Sequence, residues 1–133
     1  MIEPSEVASY VQDLITWDLK TCSVSDLTFT ETVRLTSTIN GEIHGITTSF
    51  DCDMMAGENV KFKNVLRTSP YSTPTHWKQC SFLFDDKVKV SVGSVIKGTI
   101  TIERRKSNER ELEVTLNLFK DKTVICNQKY SVS

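Results

Sequence analysis

Through most of this chain, apolar and polar side chains alternate with a period of two, the mark of strands half buried against a core. Phe29, Val33, Leu35 and Ile39 share one parity, while Thr30, Thr32, Arg34, Thr36 and Thr38 take the other. The dipeptide Asn40-Gly41 follows at once. It predicts a two-residue type I′ turn, because both central positions of that turn need positive φ. The implied hairpin register sets Ile39 against Glu42, Leu35 against Ile46, Val33 against Thr48, Glu31 against Phe50 and Phe29 against Cys52, gathering most apolar residues on one face.

Further strands are predicted at Val60–Leu66, Trp77–Phe84, Val95–Glu103, Glu111–Leu118 and Thr123–Tyr130. Polar breaks separate them at Asp85-Asp86, Ser91–Ser94, Arg104–Arg110 and Lys120–Lys122. Only the start reads as helical: after Pro4 and Ser5, the residues Val7, Tyr10, Val11 and Leu14 follow helical spacing for about two turns. No interval between strands is long and periodic enough for crossover helices, which excludes a parallel α/β sheet. The expected class is therefore all-β, an antiparallel β-barrel or sandwich with a short N-terminal helix. No internal repeat or low-complexity linker interrupts it.

Composition changes this picture little. The 133 residues are 38% hydrophobic and 25% charged, which suits one folded domain able to bury a core without metal or disulfide staples. Cys22, Cys52, Cys80 and Cys126 are scattered, with no pair spaced as a zinc or redox motif, so they are expected to be buried or inert and no metal is expected. The five glycines include no Gly-x-Gly turn, which leaves no cradle for a nucleotide or phosphate. With 16 basic and 17 acidic side chains the formal charge is −1, an argument against bulk electrostatic binding of nucleic acid. No window approaches a membrane span and Met1-Ile2-Glu3-Pro4 lacks a basic leader, so the expected setting is intracellular, cytoplasmic rather than nuclear, with no membrane partner.

Chemistry concentrates in one loop. Thr68-Ser69-Pro70-Tyr71-Ser72-Thr73-Pro74-Thr75-His76-Trp77-Lys78-Gln79 is polar, restricted by two prolines, and ends in an imidazole and an indole entering a strand. Such a loop holds one shape at reduced entropic cost and presents its side chains at a rim. An indole that merely plugs the core is the plainer alternative. His44 has no partner motif and is expected to be structural or solvated. The run from Glu103 to Glu111 interleaves glutamates with its cations, so it reads as a solvated hairpin laced with ion pairs rather than a nucleic-acid or lipid surface. Asp51, Asp53, Asp85 and Asp86 offer an acidic surface able to guide cationic substrates.

The string Thr75-His76-Trp77-Lys78-Gln79, preceded by Thr68-Ser69-Pro70, resembles the Thr-His-Trp loop of the protein arginine N-methyltransferases. In that family the loop faces the catalytic site from the C-terminal β-barrel. Ser25-Asp26-Leu27-Thr28-Phe29, Phe50-Asp51, Gly98-Thr99-Ile100 and Asn108-Glu109-Arg110-Glu111-Leu112 resemble further landmarks, in the same order, so the likeness covers nearly the whole chain. The Ser23–Leu27 stretch and the short spacing after the final strand lean towards a type I enzyme, of the cytosolic subtype three. Arg67, where the family commonly has serine, and Cys80, where it has threonine, depart from the pattern and bear on substrate preference.

The resemblance implies a division of labour. In the family, S-adenosylmethionine binds a Rossmann-like domain through a Gly-rich turn, and two glutamates of that domain grip the target guanidinium; nothing in this chain corresponds to either. The chain then reads as part of an enzyme, its missing N-terminal methyltransferase domain a partner, and is expected to be inactive alone. Residues 1–18 resemble the segment following the dimerisation arm of a homodimeric parent, and 19–133 the C-terminal substrate-binding β-barrel, with arginine-containing proteins as substrates. His76 takes the catalytic role, pairing with a carboxylate of the partner domain to position active-site acids or relay a proton. Trp77 lines the mouth of the arginine pocket, where an aromatic face attracts a guanidinium. Thr75, grouped with Trp77 at the substrate side, shapes the loop backbone. A non-catalytic β-barrel protein-interaction module remains the alternative.

Overall fold

The computed structural model describes residues 1–55 and 63–133. Eight strands follow one another: β1 (Phe29–Thr36), β2 (Gly41–Thr48), β3 (Asp51–Met55), β4 (Lys63–Arg67), β5 (Cys80–Val90), β6 (Val95–Arg105), β7 (Asn108–Lys120) and β8 (Thr123–Val132). The all-β, antiparallel expectation holds. The chain divides into two compact units, one made of Met1–Val7 with Gly45–Leu83 and the other of Ala8–His44 with Phe84–Ser133.

The second unit carries a four-stranded antiparallel sheet in the order β1-β6-β7-β8. Register explains its two faces. Phe29, Ile102, Val114 and Tyr130 form one cross-strand row; Val33, Gly98, Leu118 and Cys126 form another. Between them lies a row of Glu31, Ile100, Leu116 and Gln128. Ile100, Val114, Leu116 and Leu118 on this face are at most 1% exposed, and burying each contributes roughly 1.5–3 kcal/mol. The opposite face shows Thr30, Thr101, Thr115 and Lys129 in a row, and Thr32, Thr99, Asn117 and Asn127 in the next. Period two along each strand thus becomes a core side and a polar side.

Gly98 is what lets the Val33 row close. Its φ of +154° would aim a Cβ at the β7 backbone, only 1.8 Å from the Asn117 carbonyl oxygen. No side chain fits there. Gly93, in the turn between β5 and β6, also has positive φ, at +87°, but its missing Cβ would meet open space.

The predicted hairpin does not form. β1 pairs with β6 in the register Leu35↔Ile96 and Val33↔Gly98, and β2 pairs with β5. Neither Asn40 nor Gly41 has the positive φ that a type I′ turn requires. Asn40 is used elsewhere: its side-chain oxygen accepts from the Val92 amide at 2.9 Å. Ser37, 5% exposed, gives its amide to Ser94 and accepts the Gly93 amide through its carbonyl. These bonds tether the exit of β1 to the β5–β6 turn. The apolar parity of β6 matches Phe29, Val33 and Leu35 at least as well as β2 does, so a distant strand displaces the local one.

The helix predicted from Val7 to Leu14 is also absent, and helical structure at the start is limited to a single 3-10 turn, Pro4–Glu6. Residues 8–12 instead run along the free edge of β1. Ser9 bridges to Ser37, the Thr38 amide reaches Ala8, and the Tyr10 amide reaches Thr36. Gln12 extends this cover with its amide, donating to the Thr32 carbonyl at 2.8 Å and accepting from the Arg34 amide at 2.6 Å. An isolated two-turn helix is marginal; satisfying an open strand edge is worth more. Tyr10 and Val11, the intended apolar stripe, are 70% and 67% exposed.

Other boundaries move less. β5 runs through Asp85-Asp86, where a break was expected, and the β6–β7 turn shrinks to Lys106-Ser107. That turn carries the expected ion pairs: Arg104 with Glu109 at 2.8 Å and Arg105 with Glu111 at 2.7 Å. The strand predicted over Val60–Leu66 is seen as Lys63–Arg67; its first residues lie outside the described ones.

In the first unit, β3 and β4 pair antiparallel with Asp51 opposite Arg67 and Cys52 opposite Leu66. One residue beyond the ladder, Thr68 closes it. Its amide donates to the Phe50 carbonyl at 3.2 Å, its hydroxyl donates to the same oxygen at 2.7 Å, and the hydroxyl accepts from the Phe50 amide at 2.9 Å. Thr68 is 3% exposed.

Two stability measurements test these assignments by urea midpoint. Gly98→Ala should cost at least about 1–3 kcal/mol because strand backbone must move, and Gly93→Ala only about 1 kcal/mol of backbone strain; equal losses would contradict the close approach. Thr68→Val, which keeps shape but removes the hydroxyl, should cost about 1–2 kcal/mol through the orphaned Phe50 amide. A neutral result would mean that the closure of β3 and β4 does not depend on it.

Candidate functional site

Thr68 begins the loop that the sequence singles out, and Gln79 ends it. The Gln79 side chain ties the two ends together: its Nε2 donates to the Thr68 carbonyl at 2.8 Å, and its Oε1 accepts the Ile2 amide at 3.2 Å. Between these anchors, Ser69 and Ser72 share a hydroxyl contact at 3.1 Å and a backbone turn closes from the Ser72 amide to the Ser69 carbonyl. Pro70 and Pro74 restrict the remaining torsions. A loop held at both ends and stiffened within presents its tip in a defined place.

At the tip, Thr75 acts on the backbone. Its Oγ1 accepts from the Trp77 amide and donates to the Trp77 carbonyl, each at 3.2 Å. This local bend keeps the next two rings together, where an extended strand would send them to opposite sides. The His76 and Trp77 ring centroids are 4.7 Å apart with planes tilted by 36°. Phe50 meets the indole edge to face, at 6.1 Å and 76°. The order of support therefore runs from the Thr68 hydroxyl to the Phe50 backbone, and from the Phe50 ring to Trp77.

Exposure decides between a core plug and a presented ring. Trp77 is 50% exposed, and His76 is exposed as well. A half-open indole leaves on the order of 100 Å² of aromatic surface in water, available to a ligand or a partner. Below the loop, a hollow of about 30 Å³ lies among Ile2, Thr68, Pro74, Trp77 and Gln79. That volume holds about one water, so a guanidinium would have to meet Trp77 on its open side.

The structure brings Thr75, His76 and Trp77 together and leaves His44 in the other unit, on β2. Phe50, Thr68 and Gln79 are supporting residues that local sequence patterns did not reveal. Phe50-Asp51 and Thr68-Ser69-Pro70 stood out only as landmarks, and nothing in their linear spacing shows that they hydrogen-bond each other. The four acidic residues are largely engaged. Asp51 and Asp53 pair with Arg67, and Asp85 accepts from the Gln128 side chain at 2.8 Å while giving its amide to the same group.

Two of the four thiols, Cys80 and Cys126, are held quiet by their environment. Burial pushes the Cys80 thiol up, and burial also raises Cys126 against the opposing bonds from Tyr130 and Gln128. Both therefore stay protonated and poorly nucleophilic near neutrality. Among the described residues, no group of three His, Cys, Asp or Glu side chains is arranged to hold a metal ion. A shallow hollow of about 300 Å³ lies among Gly41, Glu42, Lys89, Ser91 and Lys120. Its lysine-lined walls lack both a Gly-rich turn and an aromatic slot, so they do not fit an adenosine-containing donor.

Comparison with known proteins places this loop in a wider setting. The family model for the arginine methyltransferase oligomerization subdomain matches residues 1–123. Protein arginine N-methyltransferase 1 of Chlamydomonas reinhardtii is 31% identical over 117 residues, which are 87% of this chain and 33% of that protein. Protein arginine N-methyltransferase 1 of Schizosaccharomyces pombe is 36% identical over 101 residues, 75% of this chain and 28% of its own. The fold matches that in the Trypanosoma brucei PRMT1 enzyme-prozyme heterotetrameric complex with AdoHcy, with a TM-score of 0.83, 24% identity, and coverage of 98% of this chain and 40% of that one. The chain spans about a third of the length of the curated relatives it matches. Taken with the closed β3–β4 ladder and the bent Thr-His-Trp tip it supports, the match over nearly the full length makes this chain a member of the arginine methyltransferase oligomerization subdomain family.

Proposed function

We propose that the chain serves as the C-terminal β-domain of a type I protein arginine N-methyltransferase and contributes the substrate-facing wall of the active site. The observation that carries this reading is the half-exposed Trp77 indole, tilted against the His76 ring and backed by Phe50, on a loop tied at Thr68 and Gln79. Trp77 offers its open face to the guanidinium of a protein arginine, an attraction of about 0.5–2 kcal/mol depending on desolvation. His76 pairs with a carboxylate of the neighbouring methyltransferase domain and so orients the acids that hold the substrate. Thr75 is the positioning residue that keeps both rings on one side of the loop.

The methyl donor of the parent enzyme is S-adenosylmethionine, supplied by the other domain; the residues of this chain do not fit it, and no step through it is assigned to them. Residues 1–18 join the domain to the dimerisation arm, and the parent works as a homodimer. The family match to an oligomerization subdomain supports assembly. The direct contribution of this chain to the chemistry is binding and orientation of the arginine.

Steady-state kinetics of the intact enzyme test the reading. Trp77→Ala should raise KM for an arginine peptide about 2- to 30-fold, the range set by the cation–π energy, with Trp77→Phe recovering part of the loss. His76→Ala should lower kcat on the order of 100-fold, as misplaced reacting groups do. Wild-type constants in both variants would favour the non-catalytic interaction module. Titrating the 133-residue chain with S-adenosylmethionine in a calorimeter should give no saturable heat, and micromolar binding would contradict the placement of the donor site.

A further inference from the structure

Gln79 lies two residues beyond Trp77, and both ends of its side-chain amide are bonded. Its Nε2 donates to the Thr68 carbonyl at 2.8 Å, and its Oε1 accepts the Ile2 amide at 3.2 Å from 77 positions away in the chain. Each partner is a backbone group of one sense, an N–H that only donates and a carbonyl that only accepts, so a single orientation of the amide satisfies both. Turning it over loses both bonds.

The Ile2 amide is offered from a defined place. Directly after it, the Glu3 amide donates to the Glu6 carboxylate at 2.8 Å, the Glu6 amide donates to the Glu3 carbonyl at 2.9 Å, and Pro4 opens the 3-10 turn Pro4–Glu6. Met1, Ile2 and Glu3 line the same small hollow as Thr68, Thr75 and Trp77, and Met1–Val7 belongs to the compact unit that contains the loop. A stretch far upstream in sequence therefore supplies part of the seat of the loop. When a ring is correctly set in only a fraction of molecules, the apparent affinity for its ligand falls by that fraction.

We propose that Gln79 is a positioning residue that couples the Met1–Glu6 segment to the Thr75–Trp77 tip, so that the fraction of molecules with Trp77 set for a guanidinium depends on the bond from Ile2. Gln79 touches no substrate; it acts through the Thr68 carbonyl and the seat of the loop. The inference rests on the reading of Trp77 as the guanidinium-binding residue and adds to it a control from upstream in the chain.

Three variants test the coupling. Ile2→Pro removes one amide donor and leaves Gln79 intact, Gln79→Met keeps the length of the side chain and loses both bonds, and the double variant combines them. In nitrogen-15 NMR spectra of the 133-residue chain, Ile2→Pro and Gln79→Met should each move the Trp77 indole resonance and leave that of Trp17 in place. An unmoved Trp77 resonance would overturn the proposal without reference to catalysis. If Ile2→Pro folds poorly, Gln79→Met alone carries this test: the Ile2 amide should exchange with solvent faster as the Trp77 resonance moves.

In steady-state kinetics of the intact enzyme, Ile2→Pro should raise KM for an arginine peptide about two- to tenfold, the range set by the loss of one hydrogen bond, and Gln79→Met at least as much. Added to Gln79→Met, Ile2→Pro should change KM no further, because the bond it breaks is already gone. A variant that merely folds less well lowers the amount of active enzyme, and so the apparent kcat, while leaving KM alone. That result, or additive effects in the double variant, would overturn the proposal. If Trp77→Ala raises KM while Ile2→Pro leaves it unchanged, the coupling alone fails. If Trp77→Ala has no effect, the reading of Trp77 fails and the inference falls with it.

Discussion

The hydroxyl of Thr68, shared between the amide and the carbonyl of Phe50, is the contact on which the candidate site depends. A short two-stranded ladder is marginal by itself, and β3 and β4 each have five residues. Thr68 extends their pairing by one rung with a side chain as well as a backbone bond. The same residue accepts the Gln79 amide through its carbonyl, so one buried position fixes the start of the loop, the end of the loop and the strand that carries Phe50. Exposed function at Trp77 is therefore built from buried, fully used polar groups.

The four-stranded sheet shows how much of a β fold a linear pattern encodes. The alternation in Phe29–Thr36 predicted which of its side chains face the core, and Val33 is buried there; the last three strands were predicted as ranges, and their Ile100, Leu116 and Leu118 complete the core. Partner choice was another matter. Asn40-Gly41 is a strong local turn signal, yet the sequence around it supplies two competing partners of equal parity for β1. The choice fell to long-range contacts, the Gly98 approach and the Ser37 tether among them, and no local rule weighs these. The lost helix has the same origin: helical spacing at Val7–Leu14 describes a stripe of side chains, whereas the open edge of β1 needed backbone partners.

The site was legible in part and for a different reason. Thr75, His76 and Trp77 stood out through the resemblance of a short string to a family motif, and the fold presents those residues side by side on an exposed tip. What holds the tip was hidden, because Phe50 and Thr68 lie 18 positions apart in the chain. Arg67 shows the cost of reading charges singly. Asp51 and Asp53 looked like an open acidic surface until the strand register set a guanidinium between them.

The central claim is that Trp77 is both open to solvent and held still. Trp17 and Trp77 are the two tryptophans of the chain, so Trp17→Phe leaves a single reporter, and its time-resolved fluorescence anisotropy measures the motion of the Trp77 ring. The structure predicts one slow decay, at the tumbling time of the unit that carries the loop, from an indole that acrylamide still quenches. A large sub-nanosecond loss of anisotropy would show that the loop does not hold the ring, and an indole closed to acrylamide would show that it is not presented at all.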